Sequence, residues 1–343
     1  MYDVQAGHMT STDSVTSRLR TSTDFDFLVG TWDVEHHRLV APLTGSTEWV
    51  VSGDSRAAGY TYLDGGVSVD EITFPSAGAS GMSLRLHSAD RDEWSIFWVS
   101  SHDGRVGPPV HGRWEGEPGE RRCRLVGDEL PQGGRPTRMT YEWSDITATD
   151  ARWQQAYSVD DERTWEKNWE MRFHRTGDAP VTVPQDHLPK VTSDFDFLTG
   201  TWRVQHRKLR SRLTGCTDWD EYESRFEART HLNGLVSIDE GALPHPSPYR
   251  GMTFRTYDVA AGEWALHWLD SRTLQMDTAP VRGRFVDGVG EFVAEDHHEG
   301  VPILCRFRWT VHGPERASWD QAFSTDDGTT WETNWVMEET RVE

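Results

Sequence analysis

Lysine is almost absent from this chain. Lys167, Lys190 and Lys208 are its only lysines among 343 residues, and arginine supplies nearly all of its basic charge. The formal net charge is −21, which argues against nucleic acid or an anionic membrane surface as the main partner. Cysteine is scarce too. Cys123, Cys216 and Cys305 are odd in number, widely spaced and free of any CxxC pair, so a reducing, cytoplasmic setting with unpaired thiols is expected. No apolar run reaches the ~18 residues of a membrane-spanning helix. Nor does any stretch hold a helical apolar period. HExxH, GxGxxG in a βαβ context, a P-loop and a Gly-x-Ser-x-Gly elbow are all missing, which removes the common metal, nucleotide and serine-hydrolase readings. Residues 1–22 are polar, lack the apolar core of a signal peptide, and read as a disordered lead; Gly7-His8-Met9 looks like a cloning remnant.

What the chain has in excess is tryptophan, 17 in all, and the tryptophans are in register with one another. Asp24-Phe25-Asp26-Phe27-Leu28-Val29-Gly30-Thr31-Trp32 returns as Asp194-Phe195-Asp196-Phe197-Leu198-Thr199-Gly200-Thr201-Trp202. Trp94 and Trp98 return as Trp264 and Trp268, Trp143 as Trp309, Trp153 as Trp319, and Trp165 and Trp169 as Trp331 and Trp335. The repeat is domain-sized, so the chain is one unit written twice and not a solenoid. Each copy alternates with period two between turn signals, as in Trp32, Val34, His36 and Arg38 on one face of the first strand. Nine or ten short antiparallel strands per copy imply a barrel or a sandwich. The expected domains are 23–176 and 193–343, joined by a linker, 177–192, that carries Pro180, Pro184 and Pro189.

The Gly-x-Trp that opens each first strand resembles the calycin superfamily. Phe-Asp-Phe-Leu-x-Gly-x-Trp-x-Val, Arg250-Gly251-Met252, the Pro-Val-Arg-Gly-Arg-Phe run at 280–285 and Ser-x-Asp-x-Gly-x-Thr-Trp-Glu-x-Asn-Trp at 324–335 resemble the DUF1579 family of bacterial lipocalin-like proteins. That resemblance spans nearly all of both copies. It implies an all-β fold of two tandem antiparallel lipocalin-like barrels, each with a central cavity, packed as an intramolecular pseudo-dimer. It implies no single activity, because the family has none in common.

Candidate site residues follow from the strand parity. His36 and His206 share a face with the plug tryptophans and could move a proton; a hydrogen-bonded wall histidine is the plainer reading. In Asp70-Glu71 and Asp239-Glu240 only one member can face inward. Glu71 shares its face with Val67 and Val69, so Glu71 and Glu240 are expected inside. Arg113 and Arg284, matched between copies, would bind a carboxylate or an enolate, or else brace a strand carboxylate. Trp94, Trp98, Trp264 and Trp268 are expected as ligand walls. Asp270, Arg272 and Arg282 have the family-like form, while the first copy has Ser100, His102 and His111 instead, which suggests that the copies differ in ligand or in activity. Haem deserves mention because nitrobindins, a related barrel family, hold it through a histidine; only His174 is near the matching place, and no cofactor is expected.

Two functions compete. The leading one is a cofactor-independent enzyme that isomerises, cyclises or eliminates from a small, largely apolar metabolite by acid/base catalysis. The other is a small-molecule carrier without chemistry.

Overall fold

The computed structural model describes residues 22–342 apart from 118–119, 133 and 277–278; residues 1–21 of the expected lead therefore lie outside the described residues. The chain folds as two closed barrels of ten antiparallel strands, each confined to its own copy of the repeat. The first comprises β1 (Gly30–Leu39), β2 (Trp49–Tyr62), β3 (Val67–Phe74), β4 (Ala79–Ser88), β5 (Glu93–Ser100), β6 (Val110–Glu115), β7 (Arg122–Gln132), β8 (Arg135–Ser144), β9 (Asp150–Ser158) and β10 (Glu166–Gly177). The second comprises β11 (Gly200–Leu209), β12 (Trp219–His231), β13 (Val236–Leu243), β14 (Tyr249–Asp258), β15 (Glu263–Asp270), β16 (Val281–Val286), β17 (Val289–His298), β18 (Val301–Gly313), β19 (Arg316–Ser324) and β20 (Glu332–Arg341). In each, neighbours in sequence are neighbours in space, and the first strand closes on the last: β1 pairs with β10 and β11 with β20. Closure removes the free edges that a ten-stranded sheet would otherwise expose. Both units are up-and-down antiparallel barrels.

One end of each barrel is plugged from within. The Phe-Asp-Phe-Leu segment makes a 3-10 turn, Asp26–Leu28 or Asp196–Leu198, that drops Phe25 or Phe195 into the interior. Phe25 meets Trp94 edge-on at 4.7 Å, and Phe195 meets Trp264 at 4.8 Å. Trp32 donates its indole N–H to the Leu28 carbonyl at 2.9 Å, and Trp202 does the same to Leu198 at 2.6 Å. Arg175 then lies 4.2 Å over the Trp32 ring and donates to the carbonyls of Val29, Phe27 and Ala148. Arg341 repeats this over Trp202, with Thr199, Phe197 and Pro314 as acceptors. One arginine from the last strand thus ties together the plug, the entry to the first strand and the turn between the eighth and ninth strands of its barrel.

The segment after β10 folds back onto the first barrel. Val183 and Leu188 are buried, Gln185 donates to Glu71 Oε1 at 2.7 Å, and Ser80 Oγ donates to Gln185 Oε1 at 2.6 Å. His187 stands 3.0 Å from both Ser80 Oγ and the Ala79 carbonyl oxygen. The first compact unit accordingly runs to Pro189, and the second begins at Lys190.

Candidate functional site

Beyond the plug, the first barrel holds a cavity of about 380 Å³. Its walls are Trp98, Trp143, Trp153 and Trp169 with Phe74, Phe173, Ile72, Ile96 and Met171. Strand alternation puts them there: β10 turns Trp169, Met171 and Phe173 inward while Glu170 and Arg172 turn out and pair with each other. The Trp98 ring lies against Gly81 on the adjacent strand, where a Cβ would come within 2.0 Å of the indole. Glycine is what lets the ring lie flat in the wall.

A buried ion pair forms the floor. Asp70 of β3 pairs with Arg85 of β4, and the Arg85 guanidinium lies 5.1 Å from the Phe25 ring and 5.7 Å from Trp143. The second barrel has the same layer, with Asp239 and Arg255 at 2.5 Å over Phe195 and Trp309. Ser83, Gln155, Glu129, Tyr141 and Tyr157 add polar groups to the cavity. Burial, with Glu129 next in effect, pushes the Tyr141 phenol up and that of Tyr157 to about 12, so both keep their protons at neutral pH. Arg38 and His102 line the open end. The Arg38 guanidinium lies 3.9 Å over the Trp169 ring.

Several expectations fail on parity. Asp70, not Glu71, faces the cavity, and Glu71 points out to Gln185. Likewise Asp239 faces in and Glu240 points out to Arg250 at 3.0 Å. The apolar neighbours of Glu71 misled because β3 is buried on both faces. Arg113 and Arg284 are exposed on the outer surface, since β6 and β16 turn Trp114 and Phe285 inward against the Phe25 and Phe195 plugs. His111 and Arg282 also face out, the former against Ser95 at 2.9 Å and the latter towards Glu263 at 3.5 Å. Trp94 and Trp264 belong to the plugs and donate to Asp24 and Asp194, so neither is a cavity wall. His174 sits outside against Asp150.

His36 and His206 do face inward, but as wall histidines. Each accepts the indole N–H of the next strand, from Trp169 at 3.1 Å and from Trp335 at 3.2 Å, on Nδ1. That leaves the ring proton on Nε2, which in His206 is donated to Ser224 at 2.6 Å and in His36 is buried without a partner. Burial holds His36 down near 4 and His206 near 3, helped by the cations Arg38 and Lys208. Both rings are neutral at physiological pH, and His36 does not line the cavity. Of the expected residues, the structure brings Trp98, Ser100 and His102 to the cavity of the first barrel. It brings Asp270 and Arg272 to the open end of the second, paired at 2.7 Å, and Trp268 to that barrel's aromatic interior.

The copies differ inside. Tyr141 and Tyr157 correspond to Phe307 and Phe323, Ala79 to Tyr249, and Phe173 to Glu339. Glu339 is 6 % exposed. Burial first, then the Asp239 charge, pushes its carboxyl up to about 8 against the pull of Arg255. Sequence reasoning missed Arg85, Glu129, Tyr141, Tyr157 and Glu339; the Tyr-to-Phe and Phe-to-Glu differences at aligned inward positions were the available signal.

No family model matches the chain, and no curated protein does. Among solved structures it is similar to a protein of unknown function from the DUF3598 family of Nostoc punctiforme, at 13% identity over 93% of this chain and 97% of that one, with a TM-score of 0.30. Two transferrin-binding B proteins also align at 9% identity over 91% of this chain and 76% of theirs. The double mutant from Haemophilus parasuis has a TM-score of 0.18, and the isotype 1 protein from serogroup B Neisseria meningitidis has 0.21.

Proposed function

We propose that the first barrel binds one small, largely apolar molecule inside its tryptophan-lined cavity. The observation that supports this is the cavity itself: about 380 Å³, walled by four indoles, with a few polar groups converging from Asp70, Tyr141, Tyr157 and Arg38. Binding sites for small molecules have this composition, mostly aromatic with a few fixed polar atoms. The DUF1579-like motifs agree with such a barrel but carry no activity of their own. The neutral probe N-phenyl-1-naphthylamine tests the proposal by fluorescence titration. Ala79→Tyr narrows the mouth with the residue that the second copy already uses. It should weaken the probe at least tenfold while leaving the melting midpoint in place. Unchanged affinity would sink the cavity as the site.

A catalytic reading has one observation in its favour. Asp70 is a buried carboxylate at the floor of a largely aromatic cavity, next to an arginine able to stabilise an adjacent developing oxyanion. Isomerisation, cyclisation or elimination would then proceed by proton transfer at Asp70. Native mass spectrometry of the purified protein would recover a resident ligand, and incubation would show whether its mass or retention changes. Asp70→Asn should stop that change and keep the complex; a ligand that never changes leaves a carrier.

A further inference from the structure

The open end of the second barrel gathers three cations, which Asp270 beside Arg272 and the Glu332 charge near Arg212 offset only in part. Lys208 near the end of β11, Arg212 in the loop that follows, and Arg272 just past β15 lie close enough that both arginines depress the Lys208 ammonium, already lowered by burial, to about 7. Arg272 has a partner in Asp270. Neither Lys208 nor Arg212 has an ion-pair partner among the described residues. Lys208 Nζ stands 4.0 Å over the Trp335 ring, and the Arg212 guanidinium lies 5.9 Å from Phe323. The Arg212 Nε and the Tyr222 hydroxyl are both buried and without a hydrogen-bond partner. Tyr249 lies 3.9 Å under the Arg272 guanidinium and senses the Arg212 charge as well.

This arrangement is costly as it stands. Each buried donor left unmade costs about 1–3 kcal/mol, and like charges in a partly desolvated mouth repel. Acids are not in short supply in a chain with 56 of them against 35 basic residues. The first barrel avoids the problem. At the matching positions it has Pro42 for Arg212, His102 for Arg272, Ser52 for Tyr222 and Ala79 for Tyr249, and keeps only Arg38 over Trp169.

We propose that the mouth of the second barrel is a binding site for a small organic acid. Its carboxylate is held between Lys208 and Arg212 with the Tyr222 hydroxyl as a further donor, and its apolar or aromatic body rests on Tyr249 and Trp335. The guanidinium fork matches a carboxylate, and the surrounding rings favour an organic anion over a bare inorganic one. This site is separate from the cavity of the first barrel, and the two copies recognise different molecules.

Isothermal titration of the full chain with benzoate, benzamide and inorganic phosphate tests the proposal. Benzoate should bind, with benzamide at least tenfold weaker. Lys208→Met and Arg212→Met should each weaken benzoate at least tenfold with unchanged melting midpoints. Lys208→Arg should retain it, and Arg284→Met on the outer surface should leave it unaltered. Four results would overturn the proposal: no benzoate binding, benzamide binding as tightly as benzoate, phosphate binding in place of benzoate, or a benzoate site removed by Ala79→Tyr and indifferent to Lys208 and Arg212.

Discussion

Glu339→Gln should make the second barrel more stable in alkaline solution and nearly indifferent in acid. Glu339 occupies an inward position on β20 beside Asp239, and burial raises its carboxyl from 4.5 to about 8. An acid whose folded pKa is raised binds more protons folded than unfolded, so stability falls as pH rises through that window. Below about pH 4.5 the group is protonated in both states and has no effect. Between 4.5 and 8 the penalty grows by about 1.36 kcal/mol per pH unit, and above 8 it levels off near 5 kcal/mol. Glutamine keeps the size, offers an N–H donor where the protonated carboxyl offers an O–H, and has no charge to acquire. Urea unfolding at about pH 5.5 and 8.5, followed by tryptophan fluorescence, should show the wild type losing about 3 kcal/mol more than Glu339→Gln over that interval in the transition that the substitution moves. Identical pH slopes in the two proteins would mean that Glu339 titrates alike folded and unfolded, and the account of its burial would be wrong.

Two further outcomes are expected. Gly81→Ala should drive the Trp98 indole into the cavity, because the new Cβ would lie 2.0 Å from its ring; binding of N-phenyl-1-naphthylamine should drop at least tenfold, and a probe affinity equal to wild type would show that Trp98 does not form the wall. Gln185→Ala removes the bonds to Glu71 and Ser80, about 1–3 kcal/mol of local anchoring; thermolysin should cut near Val183 and Leu188 several times faster while the barrel's melting midpoint stays within a degree or two, and unchanged cleavage would show that these bonds do not hold the segment.

The architecture was readable because the tryptophans kept register. Trp32 with Trp202 and Trp143 with Trp309 fixed the duplication, and alternation from Thr31 onward fixed the strands. The site was much less readable. Parity within a strand decides which residues meet a ligand, and apolar neighbours reveal parity only when one face is wet. In β3 both faces are covered, so Val67 and Val69 pointed the argument at Glu71 when Asp70 was the inward acid. In β6 the inward residue is Trp114, and an arginine at 113 looked functional only because it was repeated. Arg85, the partner of Asp70, carries no motif at all; its role comes from lying across the strand pair.

The arginine that clasps each plug has a consequence for how the chain is made. Arg175 and Arg341 are each among the last residues of their barrel to leave the ribosome, yet each holds the turn that was synthesised first. Neither barrel can shut until its tenth strand is available, so the opening strand must wait, unpaired on one side, for some 140 residues of synthesis. But no strand is shared between the copies. The first barrel can therefore finish and seal its interior while the second is still being translated, and the vulnerable interval is that of one barrel at a time.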